Sequence, residues 1–249
     1  MNKWRLILSP PLDGAENMAI DEAIFRHSTT PTLRIYSWKS PTLSLGYFQK
    51  ADKGLIARCT SNSVDIVRRP TGGRAVLHHC EFTYSVIANY RDFPPPTTLS
   101  GIYLTLAGWQ VDALNLLGIG ASLGEKRSAR AYSKLNSCFN SGTPYEINAG
   151  GKKISGSAQR RDKERFIQHG SILMDVDRSI YTSLMGDDME NGGDFTTMKD
   201  EGYSGTYEKF VSAMIKGFES TVGASLKEAG LSALEKELVK DLKASCAIF

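Results

Sequence analysis

Cysteine is scarce in this chain of 249 residues. Cys59, Cys80, Cys138 and Cys246 lie far apart, and none belongs to a CxxC pair. A small disulfide-stapled scaffold is therefore excluded, and in a reducing compartment all four would be free thiols. Histidine is as scarce. No pair among His27, His78, His79 and His169 stands at ligand spacing with a Cys or a carboxylate, so no metal and no cofactor is expected. Long apolar runs are also missing: no window approaches the roughly 18 apolar residues of a membrane span. The N-terminal run Leu6-Ile7-Leu8 stops at Pro10-Pro11. It is too short for a secretory core, and a cytoplasmic protein is expected. Charge of one sign is lacking too. Lys+Arg 30 against Asp+Glu 27 leaves +3, too little to argue for nucleic acid. No linker, repeat or low-complexity tract divides the chain. Residues 1–249 therefore read as a single domain, long enough to bury a real core.

What is present is a succession of short periodic segments. Residues 14–28 predict a helix with Met18, Ile20, Ala23 and Ile24 on one broad face. Leu33–Trp38 and Thr42–Tyr47 alternate as half-buried strands do, with Pro41 in the turn between them. Asp52 caps a short helix that runs to Cys59. Val64–Arg68, Phe82–Ala88 and Phe166–Met174 read as strands, and Ser100–Leu117 as a long helix stopped by Gly118. Residues 186–206, rich in Gly and Asp, read as a mobile loop. Tyr207–Leu226 and Leu231–Ala244 finish the chain as helices. Strands in hairpin-like succession with helices before and after them indicate an α+β fold.

Four segments carry possible chemistry. In Arg68-Arg-Pro-Thr-Gly-Gly-Arg-Ala-Val-Leu-His78, adjacent glycines leave backbone N–H groups open to a carbonyl, phosphate or thioester. Arg69 and Arg74 flank that turn; the plainer reading is a tight turn with surface arginines. It is not a Walker A loop. Cys138 sits in the polar, turn-forming run Asn136–Tyr145, just after Lys126, Arg127, Arg130 and Lys134. It is either a candidate nucleophile favoured as thiolate by those cations or an ordinary loop thiol. Tyr145–Ser157 is a hairpin with Gly150-Gly151 at its turn. Pairing outward from the turn sets Ala149 opposite Lys152, Asn148 opposite Lys153, Ile147 opposite Ile154 and Glu146 opposite Ser155. The two isoleucines then share the core face. Lys153 shares the other with Asn148, Glu146 and Ser155, either as a catalytic cation or as a solvated partner of Glu146. Finally, His169 in Gln168-His-Gly-Ser-Ile172 either lines a pocket or is a hydrogen-bonded structural histidine.

These segments, in this order, resemble the catalytic domain of the biotin/lipoate protein ligases and octanoyltransferases. The resemblance rests on Asn17-Met-Ala-Ile-Asp-Glu22, Ser40-Pro-Thr-Leu-Ser-Leu-Gly-Tyr-Phe-Gln49, the Arg68–His78 run, Lys153-Ile-Ser-Gly-Ser-Ala-Gln159 and Gln168–Ile172. It covers about residues 3–225 and leaves 226–249 as a C-terminal helical extension. It implies a mixed, mostly antiparallel sheet flanked by helices, of the class II synthetase-like kind. Within the family the chain is most similar to octanoyltransferases of the LipM type. Cys138-Phe precedes the Lys153 hairpin where that group keeps its nucleophile. Arg74 follows Thr-Gly-Gly where ATP-using ligases commonly have a third Gly. The accessory domain usual in ligases has no room after about residue 226. His79, where an acidic residue is common, and Ser141-Gly-Thr-Pro depart from the family pattern at positions that bear on carrier docking.

The resemblance implies transfer of octanoyl from acyl carrier protein through a Cys138 thioester to a lysine of a lipoyl-accepting domain or a glycine-cleavage H-type protein, in lipoate biosynthesis. A thioester is already activated, so ATP is unnecessary. A thiol of pKa about 8.5 is only about 3% thiolate at neutral pH, and lowering it by about 1.5 units makes it about half thiolate. Lys153 is implied in that role and in binding the developing oxyanion. Gly72, Gly73, Gly156 and Ala158 would line the acyl path with backbone, and His78 and His169 would shape its mouth. Arg69, Thr71, Arg74, Ser157 and Gly170 complete the implied binding set. The cations of residues 126–134 and Arg160-Arg161 would steer acidic partners. The competing readings are an ATP-dependent lipoate–protein ligase, an amidotransferase acting between lipoyl domains, and a non-catalytic acyl-binding module. A biotin ligase-repressor is disfavoured, since the motifs begin at the N-terminus and leave no room for a DNA-binding headpiece.

Overall fold

The computed structural model describes residues 2–124, 145–185 and 195–248. Two sheets organise them. The larger has eight strands: β1 (Asn2–Leu8), β2 (Thr32–Tyr36), β6 (Glu81–Asn89), β7 (Ala121–Leu123), β8 (Ile147–Ala149), β9 (Lys152–Arg161), β10 (Arg165–Leu173) and β11 (Ala224–Glu228), in the spatial order β11-β1-β2-β6-β10-β9-β8-β7. β1 pairs parallel with β11 and β2, and all other neighbours are antiparallel. The smaller sheet, β4-β3-β5, joins β3 (Thr42–Leu45), β4 (Asp65–Arg68) and β5 (Val76–His78). The architecture is α+β with a mixed, mostly antiparallel sheet, as expected.

Period-2 alternation decides what each face of the large sheet does. Trp4, Leu6, Leu33, Ile35, Phe82, Tyr84, Val86 and Phe166 point to one side. There they meet Trp109 and Ala113 of α3 (Leu99–Leu116) and Phe210, Met214 and Phe218 of α5 (Tyr207–Val222). Trp4 and Trp109 each meet Phe218 edge-on, at 5.2 and 5.1 Å between ring centroids. The other face packs Ile7, Ile87 and Ile167 against Met18, Ile20 and Ile24 of α1 (Gly14–His27), with Val239 of α6 (Ala233–Cys246) outside them. Both faces are covered, so β2 and most of β6 are buried at every position. The polar members of β2 are therefore enclosed, not half-buried facing water as the alternation suggested, and those of β6 are enclosed with them. α2 (Lys53–Ser61) and α4 (Arg178–Met185) cover the small sheet, whose core is built on Leu43, Leu45, Ile66 and Leu77.

Helix caps follow the sequence. Asp13, Asp52, Thr98 and Thr206 each accept a backbone N–H of the first turn, and Ser232 forms a reciprocal capping box with Glu235. Four expectations need correction. β2 and β3 are not a hairpin about Pro41, because they belong to different sheets. The helix from Tyr207 stops at Val222, where left-handed Gly223 turns the chain into β11. Within the supposed mobile loop, Phe195, Thr196, Thr197 and Met198 are buried, and Phe195 bridges to Lys153; residues 186–194 lie outside the described residues. The Gly150-Gly151 turn pairs Ala149 with Lys152 and Asn148 with Lys153, but a bulge then sets Ile147 opposite Ser155. Ser155 consequently faces α3, where its hydroxyl donates to Gln110 at 2.7 Å. It does not share the polar face with Lys153.

Among the described residues no helix is long and apolar enough to cross a membrane.

Candidate active site

Where the large sheet, the small sheet and α1 converge, a cleft of about 450 Å³ opens, counting the space at its mouth. The large-sheet side chains that reach it belong to the rows that alternate with the α3–α5 core. Tyr36 of β2, Thr83 of β6, and His169 and Ser171 of β10 come from the α1-facing side of the large sheet. Ser44, Val76 and His78 come from the small sheet, and Met18 from α1. Gly156, Ser157, Ala158 and Gly170 supply backbone-rich wall. At Gly170 an added Cβ would lie 2.7 Å from the Gly156 carbonyl oxygen and 2.8 Å from the Tyr84 hydroxyl. Only glycine lets β9 and β10 approach this closely.

Beneath the cleft lies a fully buried ion pair. Asp21 Oδ1 accepts from Arg34 Nη1 and from Ser85 Oγ, both at 2.8 Å, and its Oδ2 accepts from Tyr36 at 3.1 Å. Arg34 also donates to the Asn17 side chain and carbonyl. Burial, the largest single influence, pushes the Asp21 carboxyl up, but Arg34 and His169 together hold the group below the usual carboxylate range. His169 stands above this pair. Its Nε2 bonds Thr71 Oγ1, while Nδ1 is 3.6 Å from Asp21 Oδ2, too far for a hydrogen bond. Burial lowers the imidazole pKa despite that carboxylate.

A second chain of bonds runs along the small sheet. Ser44 Oγ is 2.7 Å from His78 Nε2, and His78 Nδ1 is 2.6 Å from Glu81 Oε1. The same Glu81 oxygen accepts from Trp38 and Thr83, and Trp38 stacks on His78 at 4.1 Å. With the carboxylate at Nδ1, the neutral ring carries its proton there and accepts from Ser44. His78 and His169 are both nearly buried inside the cleft, deeper than the mouth expected for them.

Arg69 lines the cleft but is not a surface cation. Its guanidinium donates to the carbonyls of Ser44, Gly72 and Arg74, so it pins the Thr71–Arg74 turn from inside. Thr71 is buried beneath that turn, Gly72 is half-buried and Gly73 exposed, and a Cβ on Gly73 would lie 3.9 Å from Ala158 Cβ. Lys153 is buried, and its Nζ is 2.6 Å from Glu146 Oε1. The stem passes Gly156, where a Cβ would meet Lys153 Cε at 3.3 Å. The partner expected from spacing is present, but the pair is enclosed rather than solvated.

Cys138 and the basic run 126–134 lie outside the described residues. Burial raises the pKa of each of the other three thiols, Cys59 to about 11. Among the described residues no cluster of three His, Cys, Asp or Glu is placed to hold a metal.

Comparison with known proteins gives this geometry its context. The family profile of the lipoyl protein ligase A/B catalytic domain matches residues 13–225. The chain belongs to that family. Octanoyltransferase LipM of Kyrpidia tusciae is 35% identical over 98% of this chain and 96% of its own length. Octanoyltransferase LipM of Clostridioides difficile is 35% identical over 97% and 95%. Among solved structures, lipoate-protein ligase A bound with ATP superposes with a TM-score of 0.79 at 25% identity, covering 97% of this chain and 94% of that one. A putative lipoate protein ligase from T. acidophilum with bound lipoic acid shares the fold at TM-score 0.79 and 24% identity, over 98% and 95%.

Those lipoyl ligase structures are matched over nearly their whole chains, so the extent of the match does not separate transferase from ligase. The family motifs converge on the cleft: Asn17–Glu22 supplies Met18 and Asp21, and Ser40–Gln49 supplies Ser44. Sequence reading missed Tyr36, Trp38, Thr83, Ser171 and the Arg34–Asp21 pair. Their signal was polar residues in strands whose apolar neighbours already fill one face.

Proposed function

We propose that the chain is a cytoplasmic octanoyltransferase acting as one catalytic domain. It moves octanoyl from an acyl carrier protein, through a thioester on Cys138, to a lysine of a lipoyl-accepting protein. The observation that carries this reading is the near full-length similarity to LipM octanoyltransferases, joined to a mainly apolar-walled cleft on which the family motifs converge. In the first step the Cys138 thiolate attacks the thioester carbonyl. The enzyme–octanoyl thioester forms, the carrier thiolate leaves, and it takes up a proton. In the second step the uncharged ε-amine of the acceptor attacks; the C–S bond breaks, the Cys138 thiolate departs, and the nitrogen releases one proton as the amide forms, matching the proton taken up by the carrier thiolate. Two thioesters of similar energy make the exchange feasible without ATP.

The described residues support this division of labour. Glu146 fixes Lys153 beside Gly156 of the cleft wall, where a cation would favour the thiolate and the tetrahedral oxyanion. The polar groups of the cleft are largely spent on one another, Ser44 on His78 and Thr71 on His169, so an alkyl chain meets few unpaired donors or acceptors. Arg69 holds the Thr71–Arg74 turn, whose backbone would bind the thioester end. Gly72, Gly73, Arg74, Ser157 and Gly170 belong to the same proposed binding set.

The competing reading is an ATP-dependent lipoate–protein ligase, favoured by the fit to a ligase bound with ATP. Intact-mass spectrometry separates them. With octanoyl-acyl carrier protein and no ATP, the wild type should gain one octanoyl group, labile to hydroxylamine and absent from Cys138→Ala. Lys153→Ala should acylate at least about a hundred-fold more slowly, and Lys153→Arg should recover part of that rate. No adduct, with lipoyl transfer only when ATP and lipoate are supplied, establishes the ligase instead.

A further inference from the structure

Phe48 is 87% exposed and Tyr47 53% exposed, the two rings meeting edge-on at 5.0 Å. An aromatic pair this open on a soluble surface calls for a reason. The loop beneath them is built to be rigid. One Arg68 nitrogen, Nη1, donates to the carbonyls of Gly46, Tyr47 and Gln49 at 3.1, 3.0 and 2.7 Å. The Gln49 side chain accepts from Gly46 N–H, and Gln49 N–H donates back to the Gly46 carbonyl. The loop is also fastened to the candidate active site. Tyr47 N–H donates to the Thr71 carbonyl at 2.9 Å, and at Gly46 a Cβ would lie 2.0 Å from the Gly73 carbonyl oxygen. A Cβ on Gly73 would in turn lie 3.9 Å from Ala158 Cβ in the cleft wall. The partly exposed Arg68 guanidinium thus holds two exposed rings on a loop tied to the Thr71–Gly73 turn beside the cleft wall, and no core requires them there.

Charge in the neighbouring sequence is mainly positive. Lys50 and Lys53 are exposed, and Arg68 and Arg74 are partly exposed; Asp52 is the carboxylate within the run 47–54. We propose that Tyr47 and Phe48 form a docking finger for the protein that receives the acyl group, an acidic domain with an exposed lysine. This rests on the transferase reading. Reach selects the acceptor over the donor. A lysine side chain is a few bonds long, so its backbone must come to the rim. A carrier's prosthetic arm is several times longer and delivers its thioester from a body held farther off. The rings are rigid anchors of low entropy cost, and the cations speed encounter with an acidic face.

The test uses the full chain and an apo acceptor domain. Calorimetric titration without any acyl donor should show Phe48→Ala binding about ten-fold more weakly than wild type, with Phe48→Trp restoring affinity. In transfer assays Phe48→Ala should raise KM for the acceptor by a like factor. Acyl-enzyme formation from octanoyl-acyl carrier protein, and release of octanoyl to a free lysine analogue, should stay unchanged. Lys50→Glu with Lys53→Glu should slow association and flatten its salt dependence. Equal acceptor affinity in wild type and Phe48→Ala overturns the proposal, as does a parallel loss with the octanoyl donor. Failure of the wild type to acylate Cys138 refutes the transferase reading, while the donor-free titration still judges the docking finger.

Discussion

At the site's base a carboxylate with a full set of donors and an imidazole with one unpaired nitrogen face each other across 3.6 Å. Their titrations push stability in separable pH windows. Burial depresses the His169 pKa, so as pH falls below about 6.5 the unfolded chain takes up a proton that the folded chain refuses. Stability must decline there. Asp21, held low by Arg34 and His169 in spite of burial, contributes stability above its ordinary value and loses it only in stronger acid, as pH falls through its folded pKa. His169→Gln keeps a side-chain partner for Thr71 but removes the titration. Urea unfolding of the variant should therefore lose less stability than wild type between about pH 7 and about pH 5; equal slopes would place the proton uptake elsewhere. His169 was legible as a candidate because a histidine before a glycine in a strand is unusual. Asp21 and Arg34 were not legible as a pair. They come from a helix and a strand that only the packing of α1 on the sheet brings together.

Local elements were read well wherever caps and periodicity agreed, as in α1, α2 and α3. The misreadings share one cause. Alternation tells which residues point together, not what they point at. The polar row of β2 looked half-exposed and is enclosed; with those of β6 and β10 it supplies Tyr36, Thr83, His169 and Ser171 to the cleft. The same limit hid the bulge in the β8–β9 hairpin, since a simple count from Gly150-Gly151 cannot show where one strand gains a residue. Buried Phe195–Met198 looked mobile because turn-forming residues say nothing about what a segment packs against. Close approach is equally invisible in sequence, and Gly170 exemplifies it. Gly170→Ala must displace the Gly156 carbonyl, Tyr84 or Ser157, each within 3 Å of the new Cβ. The expected cost is about 1–3 kcal/mol, a drop of several degrees in Tm for a chain this size, with transfer falling as the cleft wall shifts. Gly72→Ala meets nothing within 4 Å. It should keep the wild-type Tm, so differential scanning calorimetry of the two variants isolates close approach from glycine chemistry in general.

The C-terminal segment binds the molecule's ends together. β11 adds to the edge of the sheet beside β1, and α6 then lies on α1. Glu235 closes the Ser232 capping box and also takes both terminal nitrogens of Arg5 at 2.7 Å. Lys243 reaches Asp13 and Glu16 in the first turn of α1, while Val239 and Cys246 bury against the helix that carries Met18 and Asp21. What the sequence suggested as an extension beyond the family motifs is packed as the outer support of an active-site helix. Such wiring predicts one cooperative unfolding transition. Fluorescence of Trp4, Trp38 and Trp109, which sit in cores on both faces of the sheet, should report the same midpoint as helical circular dichroism. Ser232→Ala should lower that shared midpoint by the cost of a lost cap, about 1 kcal/mol. An autonomous α6 would behave otherwise: helical signal would fall first, tryptophan emission would hold, and Ser232→Ala would move only the early phase. The cap of a surface helix should therefore be felt at the cleft, because α1 is the element through which both are packed.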